Sequence, residues 1–346
     1  MATYGFAQES AKDATFTSDV NVVNVFATVK DKQGKVIRTL QKDDFLLEDE
    51  GHSQPIRYFA QQSDLPLTLG LLIDTSGSQR NVLEPERHAS YRFLEEVMRP
   101  DKDRAFVIHF DYDVELLQDL TSSRKDLEAA LEDLTVNRPQ LNRRGQGGGG
   151  NPGGGGGRGR GGGTNLYDAV LLASDDMMKK QQGRKAVFLL SDGVDTGSKV
   201  TLTDAIESAQ RADTLVYSIR FSDQESSKGG FQRGGLGGSV GGIGMGRRGG
   251  IGRNGGNGGP AGGGRANQAD GKKVLQRLAE ETGGGYYEVS SNRTLGDIYT
   301  SIEEELRSQY SLGFTPDKGS IGYHKLHVGV KDKGLIAQAR GGYYAR

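Results

Sequence analysis

The chain changes its hydrophobic rhythm twice. From Asp19 apolar and polar positions alternate, with Val23, Val25, Ala27 and Val29 on one face and Asn24, Phe26, Thr28 and Lys30 on the other. A period of two predicts a strand with one buried face. A turn at Asp31-Lys32-Gln33-Gly34 opens a further extended run, and a hairpin around Asp49-Glu50-Gly51-His52 leads into Ile56-Arg57-Tyr58-Phe59. After Pro66 the pattern shifts. Leu67-Thr68-Leu69-Gly70-Leu71-Leu72-Ile73 is almost continuously apolar, as in a strand covered on both faces. A helix starts near Pro85, with Ala89, Phe93, Leu94, Val97 and Met98 on one stripe. Strands at 104–110, 185–190, 214–221 and 286–289 then interleave with helices at 124–134, 165–182, 203–212, 271–282 and 294–309. This order predicts an α/β fold with a doubly wound, mostly parallel, Rossmann-like sheet. Alternation returns at the end, with Leu326, Val328 and Val330 set against Lys325, His327 and Lys331, followed by an extended run at 335–340 and Gly341-Gly342-Tyr343-Tyr344.

Neither terminal β segment has enough strands to bury a core alone. They are expected to pair into a small β-sandwich, residues 17–62 plus 310–346, with the α/β domain of residues 63–309 inserted between them. Residues 1–16 are patternless and read as a flexible tail.

Composition refines this picture. The 346 residues include 54 glycines, concentrated in tracts at about 145–163 and 229–264. These tracts hold too few apolar side chains to offset the entropy of ordering, so they are expected to be disordered insertions. A formal net charge of −1 gives no global pull toward nucleic acid. The absence of cysteine rules out disulfides, thiolate zinc sites and cysteine nucleophiles. No apolar run is long enough to span a bilayer. The first residues lack the basic start and apolar centre of a signal peptide, so the expectation is either a cytosolic protein or one whose leader has been removed.

The buried strand that begins after Pro66 runs straight into Asp74-Thr75-Ser76-Gly77-Ser78. In an extended turn alternate side chains point the same way, so Asp74, Ser76 and Ser78 are expected to converge. Thr164-Asn165 offers another hydroxyl at the start of a helix, and Ser191-Asp192-Gly193 ends a second apolar strand with a carboxylate. In a doubly wound sheet ligands bind at the carboxyl ends of the strands. An all-oxygen donor set suits Mg²⁺, Mn²⁺ or Ca²⁺. The plainer reading is a polar turn with capping serines, but Thr164 and Asp192 fall where a metal site needs them.

DTSGS, the threonine of GGTNLYDA and the SDG after an apolar strand resemble the metal-ion-dependent adhesion site (MIDAS) of von Willebrand factor A (VWA) domains, in the family's chain order over about residues 65–305. DFLLEDEG and the closing GGYYA resemble a bacterial, acidobacterial-type VWA-related group of exported proteins. The resemblance implies that Ser76, Ser78 and Thr164 supply hydroxyls to a divalent cation, with Asp74 and Asp192 acting directly or through water. It also implies a protein partner whose Asp or Glu fills an open coordination position, an adhesion-type function, and a secreted, periplasmic or cell-surface setting. The long glycine tract before Thr164 departs from the family pattern and could act either as an inert insertion or as a gate.

Other readings stay open beside this one. The same site could scaffold a larger assembly. The arginines of the glycine tracts, among them Arg158, Arg160, Arg247 and Arg248, could bind nucleic acid, but Phe231 is the one aromatic available for base stacking in either tract. An enzyme is the weakest reading, since no general base or nucleophile accompanies the metal residues. Asp195 reads as a capping residue, and Asp111 and Asp113 as solvated or outlying carboxylates. His324 and His327 do not share a strand face, which argues against a histidine pair as ligands.

Overall fold

The computed structural model describes residues 22–61, 65–79, 82–134, 163–221, 263–316 and 321–345. The expectations for the tail and for most of both glycine tracts lie outside the described residues. The N-terminal segment forms β1 (Val23–Asp31), β2 (Phe45–Asp49), β3 (His52–Ser53) and β4 (Tyr58–Gln61). The middle of the chain gives β5 (Leu67–Asp74), β6 (Arg104–Phe110), β7 (Val114–Thr121), β8 (Arg184–Leu190), β9 (Leu215–Phe221) and β10 (Tyr286–Val289). The end supplies β11 (Tyr310–Phe314), β12 (Gly322–Val330), β13 (Leu335–Ala339) and β14 (Gly342–Ala345). The helices are α1 (Leu83–Val97), α2 (Arg124–Glu132), α3 (Leu166–Leu172), α4 (Leu202–Arg211), α5 (Gly263–Thr282) and α6 (Leu295–Arg307).

The central sheet has the order β10-β9-β8-β5-β6-β7 and is parallel except at β7. All eight residues of β5 are buried, because both faces of this strand carry helices. Leu67, Leu69, Leu71 and Ile73 pack with Phe93 and Leu94 of α1, Leu127 of α2 and Ile298 of α6. Leu72, Phe106 and Ile108 pack on the opposite face with Val170 of α3, Ala205 of α4 and Leu275 of α5. Gly70 is required in this layer, since a Cβ there would lie 2.4 Å from the Phe106 ring. Thr201 with Asp204 and Thr294 with Asp297 form capping boxes at the starts of α4 and α6, a threonine-to-acid spacing that satisfies orphan amides at each helix start.

The terminal segments form two four-stranded sheets, β13-β1-β11-β4 and β14-β12-β2-β3. The predicted inward face of β1 (Val25, Ala27 and Val29) meets Phe45, Leu47, Leu312, Phe314, Leu326 and Val328 in one core. Strands from opposite ends of the chain pair directly, as in Val25↔Leu312 and Leu47↔Val328.

Three local features differ from the sequence reading. β7 was not expected; it pairs antiparallel to β6 through a bulged register, and its mixed burial leaves a weak periodic signal. The helix predicted over 165–182 is α-helical only to Leu172 and continues as a π-helix over Ala173–Met178. Helix α5 begins at Gly263 rather than Gly271, where glycine gives no propensity signal.

Candidate functional site

The candidate ligands lie at the carboxyl edge of the central sheet, where β5 ends at Asp74 and β8 at Leu190. β5 and β8 are neighbours, yet the helices that follow them, α1 and α4, lie on opposite faces. Their loops therefore diverge and leave a crevice at the strand ends, as at any topological switch point.

Asp74 stands at the end of β5 and is fully buried. Its Oδ1 accepts the Ser76 amide at 2.9 Å, and its Oδ2 accepts the Ser191 hydroxyl at 2.7 Å. Burial pushes its carboxyl up from 3.8 to about 7, and the charge of Asp192 pushes the same way; the hydrogen bonds from Ser191 and Ser76 oppose them. The Ser76 and Ser78 hydroxyls lie 3.0 Å apart at the open side of the turn. The expected geometry needs one correction: Gly77–Gln79 is a 3-10 turn, so the serines meet by chain reversal rather than by extended alternation.

Asp192 follows the end of β8, and its Oδ1 accepts the Val194 amide at 2.9 Å. The turn continues through Gly193 at a φ of +86°, a conformation suited to glycine. A Cβ at Gly193 would also lie 2.2 Å from the Gly271 carbonyl oxygen of α5, so the SDG glycine is fixed by packing as well as by backbone angle.

Thr164 is nearly buried and clamped to the same loop. Its amide donates to Thr196 Oγ1 at 3.0 Å, and its carbonyl accepts the Thr196 and Gly197 amides. The next residue reaches the other way: the Asn165 amide donates to the Asp111 carbonyl at 2.7 Å, just past β6. Since β5 lies between β8 and β6, residues 164–165 bridge across its carboxyl end. The structure thus joins Asp74, Ser76 and Ser78 in one turn, ties that turn to the Asp192 loop through Ser191, and holds Thr164 at the same rim.

Asp195 caps α3, its Oδ1 accepting the Leu166 amide at 2.9 Å, in line with the sequence reading. Asp111 is buried, not solvated. Two buried residues around Asp74, one its direct partner and one coupled to its charge, are not singled out by the sequence pattern. Ser191 was noted only as part of SDG, although it is the direct partner of Asp74. Glu86 on α1 is fully buried, and neither carboxylate oxygen has a hydrogen-bond partner among the described residues. Burial, and then the charge of Asp74, holds its carboxyl well above the usual range. Its place on the same helical stripe as Ser90, Phe93 and Val97, all buried with it, was the available signal.

Residues 69–194 match the family model of the von Willebrand factor type A domain, and the mostly parallel six-stranded sheet flanked by helices is the fold of that class. VWA-type domains are generally interaction modules rather than enzymes. No curated protein matches the sequence. Among solved structures, proximal thread matrix protein 1 from the mussel byssus, with a zinc-occupied MIDAS motif, is similar at 13% identity and a TM-score of 0.46 over 76% of this chain and 50% of that one. This chain therefore spans half the length of the mussel protein. A von Willebrand factor type A protein from Catenulispora acidiphila shares 13% identity, with a TM-score of 0.45 over 87% of this chain and 72% of that one. BatB from Bacteroides thetaiotaomicron shares 17%, with a TM-score of 0.42 over 70% of this chain and all of its own. Among the described residues no helix is long and apolar enough to cross a membrane.

Proposed function

We propose that the chain is a metal-ion-dependent protein-binding module in which Asp74, Ser76, Ser78, Thr164 and Asp192 hold a divalent cation that captures a partner's carboxylate. The observation that carries this reading is the oriented carboxylate of Asp74 beside the paired hydroxyls of Ser76 and Ser78. Neighbouring oxygens on an octahedral Mg²⁺ with bonds of about 2.0–2.1 Å stand about 2.9 Å apart. The serine hydroxyls are 3.0 Å apart, which fits Mg²⁺ or Mn²⁺ better than the larger Ca²⁺. Asp74, buried and repelled by Asp192, gains from a cation what its hydrogen bonds supply only in part.

Three of the five ligand candidates are neutral hydroxyls. With Asp74 and Asp192 reaching it through water, a cation held directly by these hydroxyls stays under-neutralised, and octahedral coordination leaves a position for an outside ligand. A partner's Asp or Glu supplies both charge and a hard oxygen at that position. This chemistry binds rather than turns over, so the reading is of a non-enzymatic, adhesion-type module. Residues 63–309 would form the binding domain, and residues 17–62 plus 310–346 the sandwich that carries it. The exported or cell-surface setting rests on the sequence resemblance alone.

The test is a pull-down in Mg²⁺ and in EDTA, with Asp74→Ala and Asp192→Ala as controls whose folding is verified by circular dichroism. A partner retained in Mg²⁺ and released by EDTA, and missed by both variants, is the expected result. Capture unchanged in EDTA and in both variants overturns the reading.

A further inference from the structure

Side chains of the kinds that can ligate a metal also cluster outside the α/β domain, in the sandwich. Asp49 ends β2, and its register partner on β12 is Leu326. His324 stands two residues before Leu326, so it shares the inward face of the sheet and is diagonal to Asp49. Its own register partner on β14 is Tyr343. Asp49 and His324 are each more than nine-tenths buried. Glu50, the next residue, is exposed and turns the chain with a φ of +51°.

Polar contacts orient this group. Tyr343 donates its hydroxyl to Asp49 Oδ2 at 2.9 Å, and its ring stacks on His324 with centroids 5.1 Å apart. The Lys325 amide donates to Glu50 Oε1 at 2.6 Å, and the Glu50 amide donates to the Lys325 carbonyl at 2.9 Å. Asp49 Oδ1 is the exception: it is buried and accepts no hydrogen bond from the described residues, although His324 Nδ1 faces it at 3.5 Å. A buried carboxylate oxygen in that state is costly unless a cation compensates it. One donor atom from each of Asp49, Glu50 and His324 lies within 4.8 Å of the other two.

We propose that Asp49, Glu50 and His324 form a second divalent-metal site, selective for a borderline transition ion such as Zn²⁺, that ties the N-terminal strand β2 to the C-terminal strand β12. Imidazole nitrogen with two carboxylates is a zinc donor set, whereas the site at the sheet edge offers oxygens alone. Zinc bonds of about 2.0–2.2 Å place ligand atoms roughly 3.3 Å apart. The three side chains therefore close in by about an ångström, and exposed Glu50 moves most easily. Asp49 and His324 are the fixed jaws, and solvent at Glu50 supplies the entry path and the remaining ligand. A metal bound only to the folded chain raises its stability by mass action. Residues far apart in sequence thus acquire a staple in a chain without cysteine.

The inference does not depend on the binding function above, and the experiment separates the two sites. The Ser76→Ala/Ser78→Ala chain, with its first site weakened, is titrated with Zn²⁺ by calorimetry and with Co²⁺ by visible absorption. One equivalent of Zn²⁺, a higher melting temperature and Co²⁺ d–d bands are expected. Adding His324→Gln or Asp49→Asn removes the bands and weakens Zn²⁺ binding by at least about 100-fold, more than the loss of an outer partner costs. Should either variant fail to fold, Glu50→Gln, at an exposed position, keeps a neutral carbonyl oxygen as a weaker ligand and is expected to weaken binding about 10-fold, no more than the loss of an outer partner costs. Zinc-dependent shifts of the His324 ring signals in the NMR spectrum of the unaltered chain provide a readout that needs no variant. The absence of Co²⁺ bands together with unmoved His324 signals identifies a plain His–Asp pair and overturns the proposal. Zinc binding unchanged in His324→Gln also overturns it.

Discussion

The hydroxyl of Ser191 reaches across 2.7 Å to the carboxylate of Asp74, so the ends of two adjacent parallel strands are joined at the crevice between them. Both residues are fully buried. The same serine oxygen accepts the Gly193 amide at 3.0 Å. The Asp74 turn and the Asp192 loop are therefore one connected unit, and a change in either is felt in both.

Ser191→Ala leaves a buried carboxylate oxygen without its donor. The folded protein is expected to lose about 1–3 kcal/mol, and Mg²⁺ affinity to fall about 10- to 100-fold, as for other outer partners of metal ligands. Chemical denaturation and calorimetry check the two effects separately. Unchanged affinity would show that Asp74 does not depend on this bond for its orientation.

The pH dependence of stability has a defined sign. In the folded, metal-free chain Asp74 titrates near 7 instead of near its ordinary 3.8. Between those values the native state holds a proton that the unfolded state has lost. This contribution to stability is therefore full below about pH 4, declines as pH rises to about 7, and stays lost above. Mg²⁺ is expected to restore stability at pH 8 and to bind more weakly as pH falls below about 7. Melting curves in EDTA and in Mg²⁺ across this range test both statements.

Asp74→Asn separates binding from folding. The amide keeps the shape but carries no charge into a fully buried position. In EDTA at pH 8 the variant is expected to melt higher than the native chain, by the equivalent of about 1–3 kcal/mol, while losing its response to Mg²⁺. A lower melting temperature in EDTA would mean that the buried charge is compensated by more than the hydrogen bonds of Ser76 and Ser191.

Glu86→Leu replaces a buried group whose two oxygens lack hydrogen-bond partners among the described residues with a slightly shorter apolar side chain. The expected change is neutral to stabilising, up to about 2 kcal/mol, with metal-dependent partner capture retained. Denaturation midpoints and the Mg²⁺ pull-down measure it; loss of capture in a stable variant would place Glu86 among the groups that set the site.

Gly193→Ala adds a Cβ that would lie 2.2 Å from the Gly271 carbonyl oxygen, at a positive φ. It is expected to cost about 1–3 kcal/mol from the backbone angle alone, and more from the clash. The variant should also weaken Mg²⁺ binding, because Asp192 must move with its neighbour.

Much of this was readable along the chain. The apolar run of β5 requires cover on both faces, and helices on both faces provide it. The alternation of Val25, Ala27 and Val29 names the buried face of β1, which is the face seen in the sandwich core. β7 was less legible, since an edge strand with half-exposed residues and a bulge follows neither simple period. The π-helical run at Ala173–Met178 was also hidden, because its apolar spacing resembles that of an α-helix over so short a length.

Apart from β7, the succession of strands and helices, the faces they bury, and the oxygen-rich turns at Asp74 and Asp192 are legible in the chain alone, because these depend on near neighbours and on the period of the backbone. The packing of the whole chain sets the rest: β5 lies between β8 and β6, residues 164–165 cross above it, Ser191 holds Asp74, and Asp49 meets His324. Those relations join residues far apart in the chain, and no local period encodes them. They arise when the burial of separate apolar faces selects one packing, and that packing carries the polar ends of the strands together.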